Sequence, residues 1–267
     1  MLFIGFFLGG LIGYLAYRAG SLNASGAWAA GVTGGLIFGF GGLSWAVLLL
    51  AFFLSSSALS RAFSARKASL AEKFAKGARR DAGQVLANGA LGALLVLLHA
   101  LLPAADWPWI AYAGAMAAVN ADTWATELGV LSAGPPRLIT SGRLVEKGSS
   151  GGVTLAGYLA ASAGAGLIAA LAWLLTPGIP WAALLGGAML GGLGGSTFDS
   201  ALGATVQAIY YCPACQKETE RHPIHGCGTE TVLVRGWKWL DNDLVNFFSS
   251  LFGAGLAVGV WMLLSSL

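Results

Sequence analysis

The sequence predicts an all-α fold: a polytopic helical membrane protein of about eight membrane segments, with its active site near the cytoplasmic face. Three observations predict it. Hydrophobic residues make up 56% of the chain and charged residues 10%, against about 25% charged in soluble domains. The apolar residues gather into long runs, several near the ~20 residues that a helical span requires. All 15 lysines and arginines fall between those runs, where alternate crossing puts them on one face.

The first run, residues 2–17, has no leading charge and no small-residue cleavage site after it, so it reads as a span and not as a removable signal. The second, 25–38, is short, and Gly39, Gly41 and Gly42 separate it from the third, 43–59. That pair can be a re-entrant hairpin or two full crossings, and either returns the chain to the side it left. The remaining runs cover 84–102, 107–131, 153–176, 181–211 and 244–264. Within this single domain, 1–267, short connections at 103–106 and 177–180 contrast with long loops at 60–80, 132–152 and 212–243. The positive-inside rule places the long basic loops in the cytoplasm and both termini outside, as in a multi-pass protein of the cell (inner) membrane. The net charge of +3 then reads as orientation and a headgroup or phosphate contact, so the lipid bilayer is the expected partner and nucleic acid is not.

Ionisable residues inside spans cost roughly 2.5–3.5 kcal/mol each, so clusters of them require a reason. Asp81, Gln84 and Asn88 share one face of the fourth helix, with Arg80 at its cytoplasmic end. The fifth run contains Asn120, Asp122, Thr123 and Glu127. On a continuous helix Asn120, Thr123 and Glu127 share a face while Asp122 points about 140° away from Glu127. Either that helix is irregular, or Asp122 and Glu127 have different tasks. The seventh run has Gly187, Gly191, Gly195 and Gly203 at four-residue spacing, with Asp199 in the missing place and Gln207 beyond, and such a stripe lets helices approach closely. Asp241, Asn242, Asp243 and Asn246 stand at the entry to the last run. Asp243 can cap that helix and Asp81 its own, but capping does not explain carboxylates inside the runs. Hard oxygen ligands from several helices suit Mg²⁺, which takes one or two carboxylates plus phosphate oxygens.

The loop after the fifth helix supplies phosphate-binding chemistry. Arg137, Arg143 and Lys147 bring positive charge, and Gly148, Ser149, Ser150, Gly151 and Gly152 lead toward the next helix. Backbone amides at a helix start form an anion site, and glycines let a phosphate come near. No GxxxxGK[ST] pattern occurs, which excludes a P-loop nucleotidase. Carboxylates, a metal and a basic loop fit phosphoryl or nucleotidyl transfer.

Cys212, Cys215, His225 and Cys227 lie in one loop, with the opening spacing of a zinc ribbon. Four protein ligands would close the shell of a Zn²⁺ ion and make it structural; His222 competes with His225 for the fourth place.

The stretches "FGFGG", "RDAGQVLANG", "NADTWATELGVLS", "PRLIT", "KGSSGGVT", "DSALGATVQ" and "WLDNDLVNFFSS" resemble, across nearly the whole chain, an integral-membrane family long labelled a domain of unknown function. Its characterised plant member is phytyl-phosphate kinase of the vitamin E pathway. The cysteine-bearing loop belongs to only part of that family. A more distant likeness, through Asp122, Ala125 and Gly129 followed by Lys147 and the glycines, is to phytol kinase, dolichol kinase and phosphatidate cytidylyltransferase, which use CTP. The resemblance therefore implies CTP as co-substrate and a phytyl or geranylgeranyl monophosphate as acceptor. It implies that Asp122, with Asp199 or Asp243, holds Mg²⁺, while Lys147, Arg137 and the amides of residues 148–152 neutralise the transferring phosphoryl group. Asn120, Gln207, Asn242 and Asn246 would orient nucleotide or acceptor, with Thr123, Glu127, Asp81, Gln84 and Asn88 in the same binding region. The rival activities are a lipid-phosphate cytidylyltransferase and an ion or small-molecule transporter. A homo-oligomer is compatible with the sequence, which sets no subunit number.

Overall fold

A computed structural model describes residues 1–63, 73–74, 76, 79–176 and 178–265. Much of the 60–80 loop, including Arg66 and Lys67, therefore lies outside the described residues. Among the described residues the helices are α1 (Leu2–Arg18), α2 (Ala24–Ala62), α3 (Ala82–Leu101), α4 (Trp107–Gly129), α5 (Leu155–Leu174), α6 (Trp181–Thr205) and α7 (Asn242–Ser265). Of these, α2, α3, α5 and α7 are long and apolar enough to cross a membrane.

Helix α2 is broken at Gly42, whose φ of 72° lies in the left-handed region that glycine enters without steric cost. The chain reverses there. Arg61, at the far end of the second arm, donates to the carbonyl of Ala19 at 2.5 Å and to Ser21 Oγ at 2.8 Å, beside the start of the first arm. Residues 24–41 and 43–62 thus begin and end at one end of the bundle.

Helix α4 is the central element. Every residue from Pro108 to Ala121 is buried, because α2, α3, α5, α6 and α7 all pack against it. Of its polar residues, Asn120 and Glu127 are buried against protein, the setting in which intramembrane polar groups are tolerated, while Asp122 and Thr123 are half-buried and Thr126 is exposed. At one end Trp45, His99, Trp109 and Tyr112 cluster, with Tyr112 donating to the Trp45 carbonyl at 2.8 Å. The glycine stripe of α6 meets α7: a methyl on Gly191 would stand 2.6 Å from the Gly253 carbonyl, and one on Gly187 2.8 Å from that of Ala257. Asp199 continues the stripe and accepts from Ser249 Oγ of α7 at 3.1 Å.

Three local expectations change. The fold is helical but not all-α, since the long loops carry two small antiparallel sheets. One pairs β1 (Arg137–Leu138) with β2 (Gly152–Val153). The other orders β3 (Ile209–Cys212), β4 (Lys217–Thr219) and β5 (Val232–Arg235) as β4-β3-β5. The seventh run therefore stops being helical at Thr205, and Ile209, Tyr210 and Tyr211, all strand-favouring types, pair as β3. The sixth helix starts at Leu155 and not Val153, because Gly152–Val153 is held by β1 and Thr154 caps the helix by accepting from Gly157 N. The last helix is capped by Asp241, which accepts from Leu244 N at 3.0 Å, and not by Asp243. Asp81 does cap α3, in a reciprocal capping box with Gln84.

Candidate active site at the loop end of the bundle

The long loops converge on one end. Lys73 Nζ donates to Glu146 Oε2 at 2.7 Å, the Glu220 amide donates to the Lys73 carbonyl at 2.8 Å, and Ser150 Oγ donates to Glu220 Oε1 at 3.0 Å. Beneath them is a cavity of about 470 Å³. Its walls come from α2, α3, α4, α5, α6, α7, the glycine loop and the cysteine-bearing loop.

Asp122 and Asp199 face this space from α4 and α6, and each lies within electrostatic reach of the other. Among the described residues nothing donates a hydrogen bond to Asp122, while Asp199 takes the one from Ser249. Two open carboxylates fit the donor set Mg²⁺ accepts when phosphate oxygens complete its shell. Helix α4 stays regular through this region, so the two acidic residues divide their tasks. Both line the cavity, but Glu127 accepts from Ser60 Oγ at 2.7 Å and tethers the end of α2, whereas Asp122 has no such tie among the described residues.

The glycine loop reaches the site by a different route from the one its spacing predicts. Ile139 N bonds to the Gly151 carbonyl at 3.0 Å, holding the loop as a hairpin over α6. Gly151 has a φ of 82°, and a methyl there would lie 2.5 Å from Ala204 N, so the backbone must be bare to pack. Gly148, Ser149, Ser150 and Gly151 all line the cavity, as does Lys147, whose Nζ donates to the Ser132 carbonyl at 2.6 Å.

Thr123, Gln84, Asn88, Gln207, Asn242 and Asn246 also line the cavity. Four other expected residues are placed differently. Arg137 is exposed and donates to the Gly142 carbonyl at 2.9 Å within its own hairpin, away from the cavity. Asn120 is fully buried as a packing tie, donating to the Gly164 carbonyl and accepting from Ser55. Asp81 serves its cap and an ion pair with Lys76 at 2.9 Å. Asp243 lines the cavity with Asp122 and Asp199 but is ion-paired to the same Lys76. The reason is common to all four: each found a nearer partner in the folded chain.

The chain matches the Integral membrane protein DUF92 family over residues 7–254. It belongs to that family. Protein PGR of Arabidopsis thaliana is 34% identical over 267 residues, covering 90% of this chain and 89% of that protein. An uncharacterized membrane protein of Methanocaldococcus jannaschii is 34% identical over 203 residues, 76% of this chain and 82% of the other. One from Synechocystis is 27% identical over 238 residues, 88% and 79% respectively. No solved structure matches.

The cysteine-bearing loop forms a candidate metal centre. Ligand atoms of Cys212, Cys215, His225 and Cys227 all lie within 4.8 Å of one another. The Cys212 and Cys227 sulfurs are 3.5 Å apart, near the ~3.8 Å edge of a tetrahedron with Zn–S bonds of about 2.3 Å. His225 Nε2 is buried without a hydrogen-bond partner. His222, the competing ligand, stacks on Tyr210 with ring centroids 4.5 Å apart, which leaves His225 as the fourth member.

Sequence spacing missed Glu220 and Arg221, which close the cavity from the cysteine-bearing loop. Glu220 Oε1 accepts from Gln207 Nε2 at 2.8 Å, and Arg221 Nε donates to the Phe74 carbonyl at 3.1 Å. No local pattern marks them, because their position depends on the β3–β4 hairpin. Their nearness to the cysteines is the one signal that pointed to this loop.

Proposed function

We propose that this protein is a Mg²⁺-dependent, CTP-using kinase that converts an isoprenoid monophosphate, phytyl or geranylgeranyl phosphate, to the diphosphate. The observation that carries the reading is the facing pair Asp122 and Asp199 in a cavity roofed by the glycine loop and Lys147. The family resemblance supports CTP and the prenyl acceptor.

In this reading Asp122 and Asp199 hold the ion, which when bound supplies charge neutralisation to the triphosphate. Gly148, Ser150 and Gly151 would present backbone amides to the phosphates, the Ser149 amide being held by the Glu146 carbonyl, and Lys147 adds positive charge. A phosphate oxygen of the acceptor attacks the γ-phosphorus of CTP. The bond from that phosphorus to the β,γ-bridging oxygen breaks, and CDP leaves with the electron pair. The acceptor is already an anionic nucleophile, so no strong general base is required, and positioning with charge neutralisation does most of the catalytic work. Gln84, Asn88, Gln207, Asn242 and Asn246 would orient the two substrates. A prenyl tail in the bilayer explains why the chemistry is lodged in a membrane. The reading takes the loop end as cytoplasmic, the termini as outside, and the two arms of α2 as a hairpin within about eight membrane segments.

The test is incubation of purified protein with Mg²⁺, CTP and geranylgeranyl or phytyl phosphate, with both products identified by mass. CDP with a prenyl diphosphate is the expected result. Pyrophosphate with a CDP-linked lipid would instead establish a cytidylyltransferase. No nucleotide consumption, with substrate flux in liposomes, would establish a transporter.

A further inference from the structure

Among the described residues four cationic side chains line the cavity, and three have protein acceptors. Lys76 is held by Asp81 and Asp243, Lys147 by the Ser132 carbonyl, and Arg221 by the Phe74 carbonyl. The fourth is Arg80. Its guanidinium lies over the rings of Phe52 and Phe53, 5.6 and 5.9 Å from their centroids. Its Nη1 is buried without a hydrogen-bond partner, and among the described residues no acceptor takes any hydrogen bond from its side chain. Aromatic faces attract the charge but leave the N–H groups unpaired, and a buried donor on a charged group without an acceptor is costly. Glu127 lies close enough to oppose that charge without bonding to it. The main chain of Arg80 is fixed separately, donating to the Ser21 carbonyl and accepting from Asn23 N, both at 3.0 Å. The side chain is therefore not what holds this segment.

We propose that Arg80 binds the phosphate monoester of the membrane-borne acceptor. A guanidinium presents a planar fork of donors that matches two phosphate oxygens at once. Its neighbours identify which phosphate. Phe52 and Phe53 belong to the apolar second arm of α2, so Arg80 sits where an apolar tail passes into a charged head. The glycine loop, by contrast, packs on α6 beside Ala204, a separate part of the wall suited to the nucleotide.

This assignment rests on the prenyl-phosphate reading, and its test keeps the two apart. Wild-type, Arg80→Gln and Arg80→Lys proteins in zwitterionic nanodiscs are titrated with geranylgeranyl phosphate, inorganic phosphate and CTP, with melting curves of the unliganded proteins as the check on folding. Arg80→Gln is expected to weaken geranylgeranyl phosphate and inorganic phosphate by about 10- to 100-fold. CTP affinity is expected to stay within about threefold of wild type, and Arg80→Lys, which keeps charge but not the fork, to fall between. Unchanged prenyl-phosphate affinity in a folded Arg80→Gln protein overturns the assignment while leaving the kinase reading standing, as does a loss confined to CTP. If wild type binds inorganic phosphate through Arg80 but no prenyl phosphate, the anion site stands and the lipid source and the kinase reading both fall.

Discussion

Gln207 donates to Glu220 at 2.8 Å, and this bond joins the end of α6 to the cysteine-bearing loop. The same carboxylate oxygen accepts from Ser150 of the glycine loop, and the Glu220 amide reaches the Lys73 carbonyl. One residue thus ties together the separate loops that roof the cavity. Glu220→Ala strands two donors, so stability should fall by on the order of 1–3 kcal/mol. Proteolysis of the loops should quicken, as read by limited digestion. Digestion at the wild-type rate would show that the roof does not depend on this carboxylate.

Asp122→Asn keeps the shape of α4 and removes a negative charge that has no hydrogen-bond partner among the described residues. Under the kinase reading, kcat should drop on the order of 10²–10³-fold or more while the protein inserts and melts as wild type. Full activity in this variant would remove Asp122 from the chemistry.

Cys215→Ser breaks the four-ligand cluster. Bound zinc, measured by elemental mass spectrometry, should fall from one per chain to a small fraction. Because the loop carries Glu220, Tm should fall as well, by about 2–4 °C for each kcal/mol lost. Retention of stoichiometric metal in the variant would mean that these residues do not form the site.

The Lys76 bridge predicts the response to pH. Burial pushes the Asp81 carboxyl up, but the Gln84 amide and the Lys76 ammonium outweigh it and hold the group below the usual aspartate range. Burial pulls Lys76 down, yet hydrogen bonds to Asp243 and Asp81 leave it above the usual lysine range. The Asp81 contribution is present above the ordinary aspartate pKa and is lost as pH falls through the lowered one. The Lys76 contribution is present below the ordinary lysine pKa and is lost as pH rises through the raised one. The bridge is partly exposed, so each limb amounts to about 0.2–1 kcal/mol. Melting of Asp81→Asn against pH should show a weakened acid limb; an acid limb identical to wild type would remove the bridge as its cause.

Membrane residence, the helical nature of most apolar runs, the Asp81 cap, a glycine break between the second and third runs, and a cysteine cluster completed by one of two histidines were legible in the sequence. Each depends on neighbours a few residues apart: hydrophobic run length, cap chemistry, glycine φ and ligand spacing. The site was legible in its parts but not in its pairings. Asp122 and Asp199 were marked by carrying charge inside apolar runs, and the glycine loop by its glycines and basic residues ahead of a helix. Arg137 and Asn120 bore the same marks, yet one turned back to Gly142 and the other was spent on Gly164.

Only the tertiary structure decided that Asp199 lies by Asp122 while Asp243 belongs to Lys76, that Glu220 enters the cavity, and that Arg80 is left with open donors. The physical reason is distance along the chain. Partners 77 residues apart, such as Asp122 and Asp199, meet because glycine-lined helices approach closely and loops fold over them. A polar group in that interior bonds to whichever partner the packing brings first, a choice that local spacing does not encode.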